Sequence, residues 1–437
     1  MTPIKPVLER WDPFSQAFIT NPDPFIAEAR ERSPVFWYEP LECWFVTGYE
    51  DVQRVFTDST TFSSRALRTV PLPDKFADRL PRAMMNTAFI NTDAPQHSRD
   101  HKAVAKGLSR SRIAALEPCI LEFATELIDS FVADGACDFM QRFAYPLSLR
   151  VIVEVLGLPE EDMPNLRQWT EDMFSIMSAG PADAVDAPTR PMEASEVEER
   201  YGRLADAWAY FEGVVEDRRA RPTDDFVSLL ANSRGDDGDW LMDDDTIKVH
   251  LLELVAAGND TTSNLMGNML LFFSEHPDQL QLARTDASLW DNAIEESLRR
   301  RSSGPHLLRI TTDDVELSGV TIPKGSVVVV NTTGANTDPA HFDDPLQFDV
   351  RRGNAREHLT FGKGRHFCLG APLARLEARI CMREIYDRLR DLEVPAQELV
   401  YVPAMTVQTL TSLRITWTAE GAQQDGGPDV RGPEGRA

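Results

Sequence analysis

Cysteine is scarce in this chain. Five residues in 437 carry a thiol: Cys43, Cys119, Cys137, Cys368 and Cys381. The odd number and wide spacing exclude a disulfide framework and fit a reducing compartment. No two stand in a CxxC pair, so the spacing of a structural zinc site is missing. Positive charge is also in deficit, with 45 Lys and Arg against 70 Asp and Glu and a net charge of −25. Nucleic acid would demand a basic footprint that this balance does not supply. No run of about eighteen uninterrupted apolar residues offers a membrane span. The opening residues, MTPIKPVLERWDPFSQ, hold no apolar signal core. The expectation is an acidic cytoplasmic enzyme with no nucleic-acid or membrane partner. Internal repeats and a clean interdomain linker are lacking as well.

What is present suits a large core: 42% of the residues are hydrophobic, enough for one big domain or two to three ordinary ones. Residues 34–46, PVFWYEPLECWFV, are β-prone and broken by a proline turn, which predicts a hairpin. From residue 95 the apolar period becomes helical, in SRDHKAVAKGLS, RIAALEPCILEFATELIDSFVADG and LSLRVIVEVLG. The second of these reads as one helix closed by Gly135. Residues 178–200, rich in Pro, Ala and acid, read as a connection between helices, either a plain linker or a lid over a pocket. Two more helices follow, YGRLADAWAYFEGVVEDRRARP and DDTIKVHLLELVAAGNDTTSNLMGNMLLFFSEHP, the latter with the character of a central core element. VELSGVTIPKGSVVVVNTTGAN predicts short strands, and APLARLEARICMREIYDRLRDL returns to helix. The fold class is mainly α with a minor β region, one domain over residues 1–418. The Gly-rich polar residues 419–437 read as a disordered tail.

Residues 361–370, FGKGRHFCLG, concentrate the chemistry. A thiol acts as ligand or nucleophile only as thiolate. Gly362, Gly364 and Gly370 permit tight turns and close approach of the backbone to a flat partner. A helix opens at about Leu369, and its positive end favours an anionic sulfur at Cys368. Lys363, Arg365 and His366 add positive charge for the anionic groups of a ligand. A nucleophilic cysteine would need a partnered base, and His366, two residues off on a tight turn, faces elsewhere. A thiolate on haem iron, with cationic groups for the propionates, fits the combination better.

The decad resembles the haem-binding signature of the cytochrome P-450 family, Phe-Gly-x-Gly-x-His-x-Cys-x-Gly, at every defined position. The resemblance implies haem b (iron protoporphyrin IX), with Cys368 as the metal ligand whose electron density favours O–O cleavage. It implies His366 as a propionate partner and Phe361 as a shield over the sulfur. In the long helix, AGNDTT (257–262) is similar to the family's oxygen-activation motif. Oxygen reduction consumes protons, and Asp260 is expected to deliver them through Thr261 and ordered water. Thr261 can bond a backbone carbonyl and bend the helix, and with Gly258 beside it is expected to open a groove for dioxygen. Glu296 and Arg299 in IEESLRR share one helical face. They resemble the family's structural Glu-x-x-Arg pair, with Arg352 as the later partner and Arg351 the alternative. Arg309 matches the family's propionate-binding arginine. His97 matches a haem-contacting histidine, and four residues on His101 stands where the family has arginine. His101 is shorter and only partly protonated at neutral pH, which leaves one propionate contact open.

By family position, Met85, Ala88, Phe89, Ala256, Ala257, residues 305–308 including Leu307, and residues 405–407 including Thr406 line a pocket. Most are apolar and suit a small apolar substrate. Glu253, one turn before Ala257, is expected to meet a polar or cationic substrate group or to turn away into a polar contact. The expected function is that of a haem-thiolate monooxygenase, inserting one oxygen atom of O2 by hydroxylation or epoxidation. Electrons come from NAD(P)H through a separate ferredoxin (or flavodoxin) and its reductase, to a monomer. Arg99, Lys102, Lys106, Arg110 and Arg112 form the basic cluster expected to dock the acidic donor. A peroxygenase would lack the acid–alcohol pair, and a haem sensor or inactive partner would carry a damaged decad.

Overall fold

Helical periodicity dominates the sequence, and a computed structural model of the protein turns it into a helical body with a small sheet at one side. The structure describes residues 10–66, 70–82, 84–178, 192–235 and 238–419, without the side chains of Met85 and Ser178. The proposed tail past residue 419 and the middle of the 178–200 connection, residues 179–191, lie outside the described residues.

The main helical layer is built from α1 (Gln96–Gly107), α2 (Glu117–Asp129), α3 (Tyr145–Leu156), α4 (Met163–Ser178), α5 (Ala194–Ala220), α6 (Asp244–Glu275), α7 (Leu289–Arg300) and α8 (Ala371–Arg388). The stretch read as one helix up to Gly135 is divided. Arg110–Ala115 ends before α2 begins, with Pro118 in the first turn of α2. Proline has no N–H to give the preceding turn and clashes with its carbonyl, so the chain restarts there. Gly135 closes the segment as expected, at φ +71°, after a short turn Val132–Asp134.

Helix α6 is the axis of the molecule. The Asp243 side chain accepts from Thr246 N, and Asp244 and Asp245 lie in its first turn, where carboxylates suit the positive helix end. Its 32 residues run roughly 48 Å, mostly buried, and α3, α4, α5, α7 and α8 all pack against it. Glycine sets the closest approach. A Cβ on Gly258 would stand 3.2 Å from Ile152 Cδ1 and Cγ1 of α3.

The sheet has five strands: β1 (Val35–Tyr38), β2 (Cys43–Val46), β3 (Phe62–Ser63), β4 (His306–Thr311) and β5 (Val327–Asn331). Their order is β1-β2-β5-β4-β3, antiparallel except for β2 against β5. β1 and β2 are the expected hairpin, turned through Glu42 at φ +47°. Alternate residues divide between two cores, Trp44, Val46, Val328 and Val330 on one face and Phe36, Phe45, Val327 and Val329 on the other. The sheet brings Arg309 of β4 toward the cysteine loop.

Candidate active site

The loop before the cysteine is held by side chains from distant elements. Asn336 accepts from Leu359 N (2.7 Å) and donates to Thr360 Oγ1 (2.8 Å), while Thr360 Oγ1 donates to Leu298 O of α7 (2.7 Å). Gly362 and Gly364 take φ +68° and +75°, the left-handed region glycine favours. A Cβ on Gly364 would also meet Phe56 O at 3.0 Å. The chain then folds back so that Cys368 N donates to Phe361 O (2.9 Å).

The Cys368 side chain is reachable by solvent, although protein crowds the sulfur closely enough to push its pKa up. Those two facts agree if the thiol faces an interior cleft. Burial raises the pKa, and the amides of Gly370 and Ala371, with the charge of Arg375, act in the opposite direction. The amides belong to the first turn of α8, where the helix dipole adds to them. The sulfur is therefore arranged to be an anion once a cation compensates its burial.

Around that cleft gather groups able to carry positive charge. His366 Nε2 lies 2.9 Å from Ser64 Oγ. The rings of His97 and His366 are 4.0 Å apart, and Phe89 stacks on His97 at 4.4 Å and on His101 at 5.9 Å. Burial, then His101 and Arg365, push His97 down to about 4. Burial, Arg309 and His97 push His366 down to about 3. Arg309 is pushed down to about 10 by burial, with Asp93 opposing. None of the three forms an ion pair among the described residues, although Asp93 acts on Arg309 and, with Asp100, on His97. Among the described residues, both ring nitrogens of His97 are buried without a partner, and the guanidinium of Arg309 bonds only Leu308 O. Buried donors without acceptors are costly. A flat ligand with two carboxylates above an anionic sulfur would satisfy them, so the residues fit haem.

The other expected site residues divide. Ala257 is exposed and Thr261 half-buried. Thr261 Oγ1 donates back to Ala257 O (2.7 Å), and Ser303 Oγ donates to Thr261 O (2.9 Å). The helix runs on through this motif, and Gly258 faces α3, where a Cβ would meet Ile152 at 3.2 Å. Asp260 sits on another side of α6, within reach of Thr409 Oγ1 (3.3 Å), and burial pushes its carboxyl up to about 6. Glu253 is not free for a substrate. Its two oxygens accept from Phe89 N (2.7 Å) and Ile90 N (2.8 Å). Leu307 is partly buried against the sheet core, and Thr406 Oγ1 is buried without a partner. Met85 lies in the turn Met84–Thr87, and its side chain is outside the described residues.

The structural triad assembles around the more distant arginine. Arg299 meets Glu296 through Nε (2.7 Å) and Nη2 (2.8 Å), and Arg352 Nε reaches Glu296 Oε1 at 3.1 Å. Arg351 is exposed. Both buried arginines also donate to carbonyls of residues 336–347, which fastens the loop ahead of the cysteine.

Two networks escaped the sequence. Glu295 binds His358 Nε2 (3.1 Å) and both Nε (2.7 Å) and Nη2 (2.9 Å) of Arg375. Although burial works against ionisation, His358 and Arg375 hold its carboxyl down at about 2. Arg375 in turn lies 4.6 Å over the Phe361 ring. The second network joins Asp100, His250 and Glu253. Only the adjacency of two glutamates in α7 hinted at the first; nothing in local spacing marked the second. In the basic cluster, Arg112 is taken up by Asp224, whereas Lys102, Lys106 and Arg110 are exposed.

Comparison with known proteins agrees with this geometry. The family model described as Cytochrome P450 matches residues 30–399. The chain is 35% identical over 412 residues to the cytochrome P450 monooxygenase PikC of Streptomyces venezuelae, covering 92% of each. It is 35% identical over 415 residues to the vitamin D(3) 25-hydroxylase of Pseudonocardia autotrophica, covering 93% of this chain and 96% of that one. Among solved structures, CalO2 superposes with a TM-score of 0.83 at 28% identity, over 95% of this chain and all of the other.

Proposed function

The chain belongs to the cytochrome P450 family, and from that premise we propose which of its residues serve the family's chemistry. It is a haem-thiolate monooxygenase. Bound haem supplies dioxygen activation and the transfer of one oxygen atom to a small apolar molecule.

Cys368 would hold the haem iron through its thiolate. The observation that carries this is the sulfur at the first turn of α8, facing the Gly370 and Ala371 amides. His97, His366 and Arg309 would hold the haem propionates. His101, stacked on Phe89 and 5.8 Å from the His97 ring, completes that wall in place of an arginine. Phe361 covers the sulfur from the side where Arg375 rests on its ring. Glu296, Arg299 and Arg352 keep the loop in register. Phe89, Ala257, Leu307, Thr406 and Met85 line the substrate pocket.

Asp260, whose carboxyl burial pushes up to about 6 while it accepts from Thr409 Oγ1, is the group that takes up and releases the proton. An ordered water carries it to Thr261, because the two motif residues are not bonded to each other. Thr261 Oγ1 donates to Ala257 O, which orients its lone pairs to accept that proton.

Electrons arrive from NAD(P)H through a reductase and an acidic ferredoxin. Lys102, Lys106, Arg110 and Arg99 form the docking face with Lys363 and Arg365 of the cysteine loop. Arg365 Nη1 donates to Ser98 Oγ of α1 at 2.8 Å, which joins the two parts of this surface. The reading supports a cytoplasmic monomer, since one chain completes the site.

Turnover separates this from peroxide-driven chemistry. With a ferredoxin, its reductase, NADPH and a panel of apolar compounds, product forms and depends on oxygen; Thr261→Val lowers product per NADPH by about tenfold as proton delivery fails. Product from hydrogen peroxide alone, undiminished by Thr261→Val, would contradict the assignment.

A further inference from the structure

Residues 89–91 form a single tight turn whose preceding residue, Ala88, has no side chain to cap it. Its first two amides nevertheless find an acceptor, and it comes from another element. Glu253 of α6 takes Phe89 N on Oε2 and Ile90 N on Oε1. A carboxylate placed there is costly unless another charge compensates it. His250, one turn earlier on α6 and 1% exposed, lies with Nδ1 3.6 Å from Glu253 Oε2. Its Nε2 lies 3.7 Å from Asp100 Oδ2, and Asp100 is fully buried in α1, three residues after His97. Arg99 Nε, at 3.4 Å from Asp100 Oδ1, adds a cation at the surface end. Although burial opposes it, Asp100 and Glu253 push His250 up to about 9, so the row Arg99–Asp100–His250–Glu253 alternates in sign and ties together α1, α6 and the turn 89–91.

What the turn presents to the site is the Phe89 ring, stacked on His97 and edge-on to His250 at 6.0 Å. We propose that Glu253, steadied by His250 and Asp100, is a positioning residue that pins Phe89 across His97 and so fixes the histidine against the prosthetic group. A carboxylate with two amide bonds is geometrically stiff, and a ring 4.4 Å away transmits its position. Among the described residues, the ring nitrogens of His97 have no hydrogen-bond partner. Its ring orientation therefore rests on packing between Phe89, stacked on it at 4.4 Å, and the tilted ring of His366 at 4.0 Å.

The inference rests on the haem reading of the site, and the test keeps the two apart. The rate of haem loss to excess apomyoglobin is measured for the haem-loaded protein, for Glu253→Gln, for His97→Leu and for the double variant. Glu253→Gln is expected to speed haem loss about tenfold in the parent and by less than about twofold when His97 is already Leu, because positioning through one partner is not additive. A merely structural loss would speed both backgrounds equally. Equal acceleration, or none, overturns the proposal. If Glu253→Gln does not fold, Phe89→Leu takes its place in the same cycle with the same expectations. A parent chain that takes up no haem would instead overturn the reading of the site.

Discussion

Asp260 shows how one buried group binds stability to chemistry. Its carboxyl is pushed up to about 6 by burial, so the native chain binds a proton more tightly than the unfolded chain does. Between the unfolded value near 4 and the folded value near 6, the native state holds the extra proton and stability falls as pH rises. Above that window the full cost of the buried anion is present. Asp260→Asn should therefore raise unfolding stability at pH 8 by about 1–3 kcal/mol and give no gain at pH 4. Denaturant unfolding at the two pH values checks this, and a gain independent of pH would contradict it. At this scale the decad around Cys368 was legible, because a ligand loop needs its glycines and cations close in sequence. Glu253 was not. Its partners are amides 163 and 164 residues away, and no local spacing reports that an acid is being spent on a distant turn.

At the scale of elements, the pairing of α6 with α3 decides where the cleft wall stands. Gly258 lets the two helices approach until Ile152 would touch a Cβ at 3.2 Å. Gly258→Val should overpack the contact and lower stability by about 1–3 kcal/mol. Adding Ile152→Ala should recover part of that loss, and thermal unfolding of the three variants reads both effects. Loss with no recovery would mean that the contact is not the cause. Helix positions were legible from apolar period, and the β1–β2 hairpin from its aromatic run. The break ahead of α2 was misread, since amphipathic spacing continues across Pro118 while the backbone does not. The packing role of Gly258 against Ile152 was not legible, for a related reason. A glycine beside a threonine marks a special backbone or a close neighbour alike, and only the packing of α3 distinguishes them.

For the whole molecule the decisive feature is charge asymmetry. An acidic chain of net charge −25 keeps Lys102, Lys106 and Arg110 together near the cysteine loop. Such a patch steers a negatively charged donor at low salt and loses that advantage as ions screen it. Lys102→Glu with Lys106→Glu should slow reduction by an acidic ferredoxin about tenfold at low ionic strength and approach the parent rate at high salt. Stopped-flow reduction across a salt series measures it, and an equal deficit at all salt concentrations would speak against steering. The mainly helical class and the order of the motifs along the chain were legible at this scale. The charge networks that fasten α7 to the cysteine loop were half legible, the Glu296 triad from its motif and the Glu295 cluster only from the adjacency of two glutamates in α7.

Everything proposed for the site depends on an anionic sulfur at position 368 bound to haem iron. The most direct measurement is the absorption spectrum of the reduced, haem-loaded protein under carbon monoxide. The red-shifted Soret band of a thiolate-ligated haem is expected, and Cys368→His should abolish it. A parent spectrum with the band of an imidazole-ligated haem, or a protein that binds no haem, would contradict the assignment.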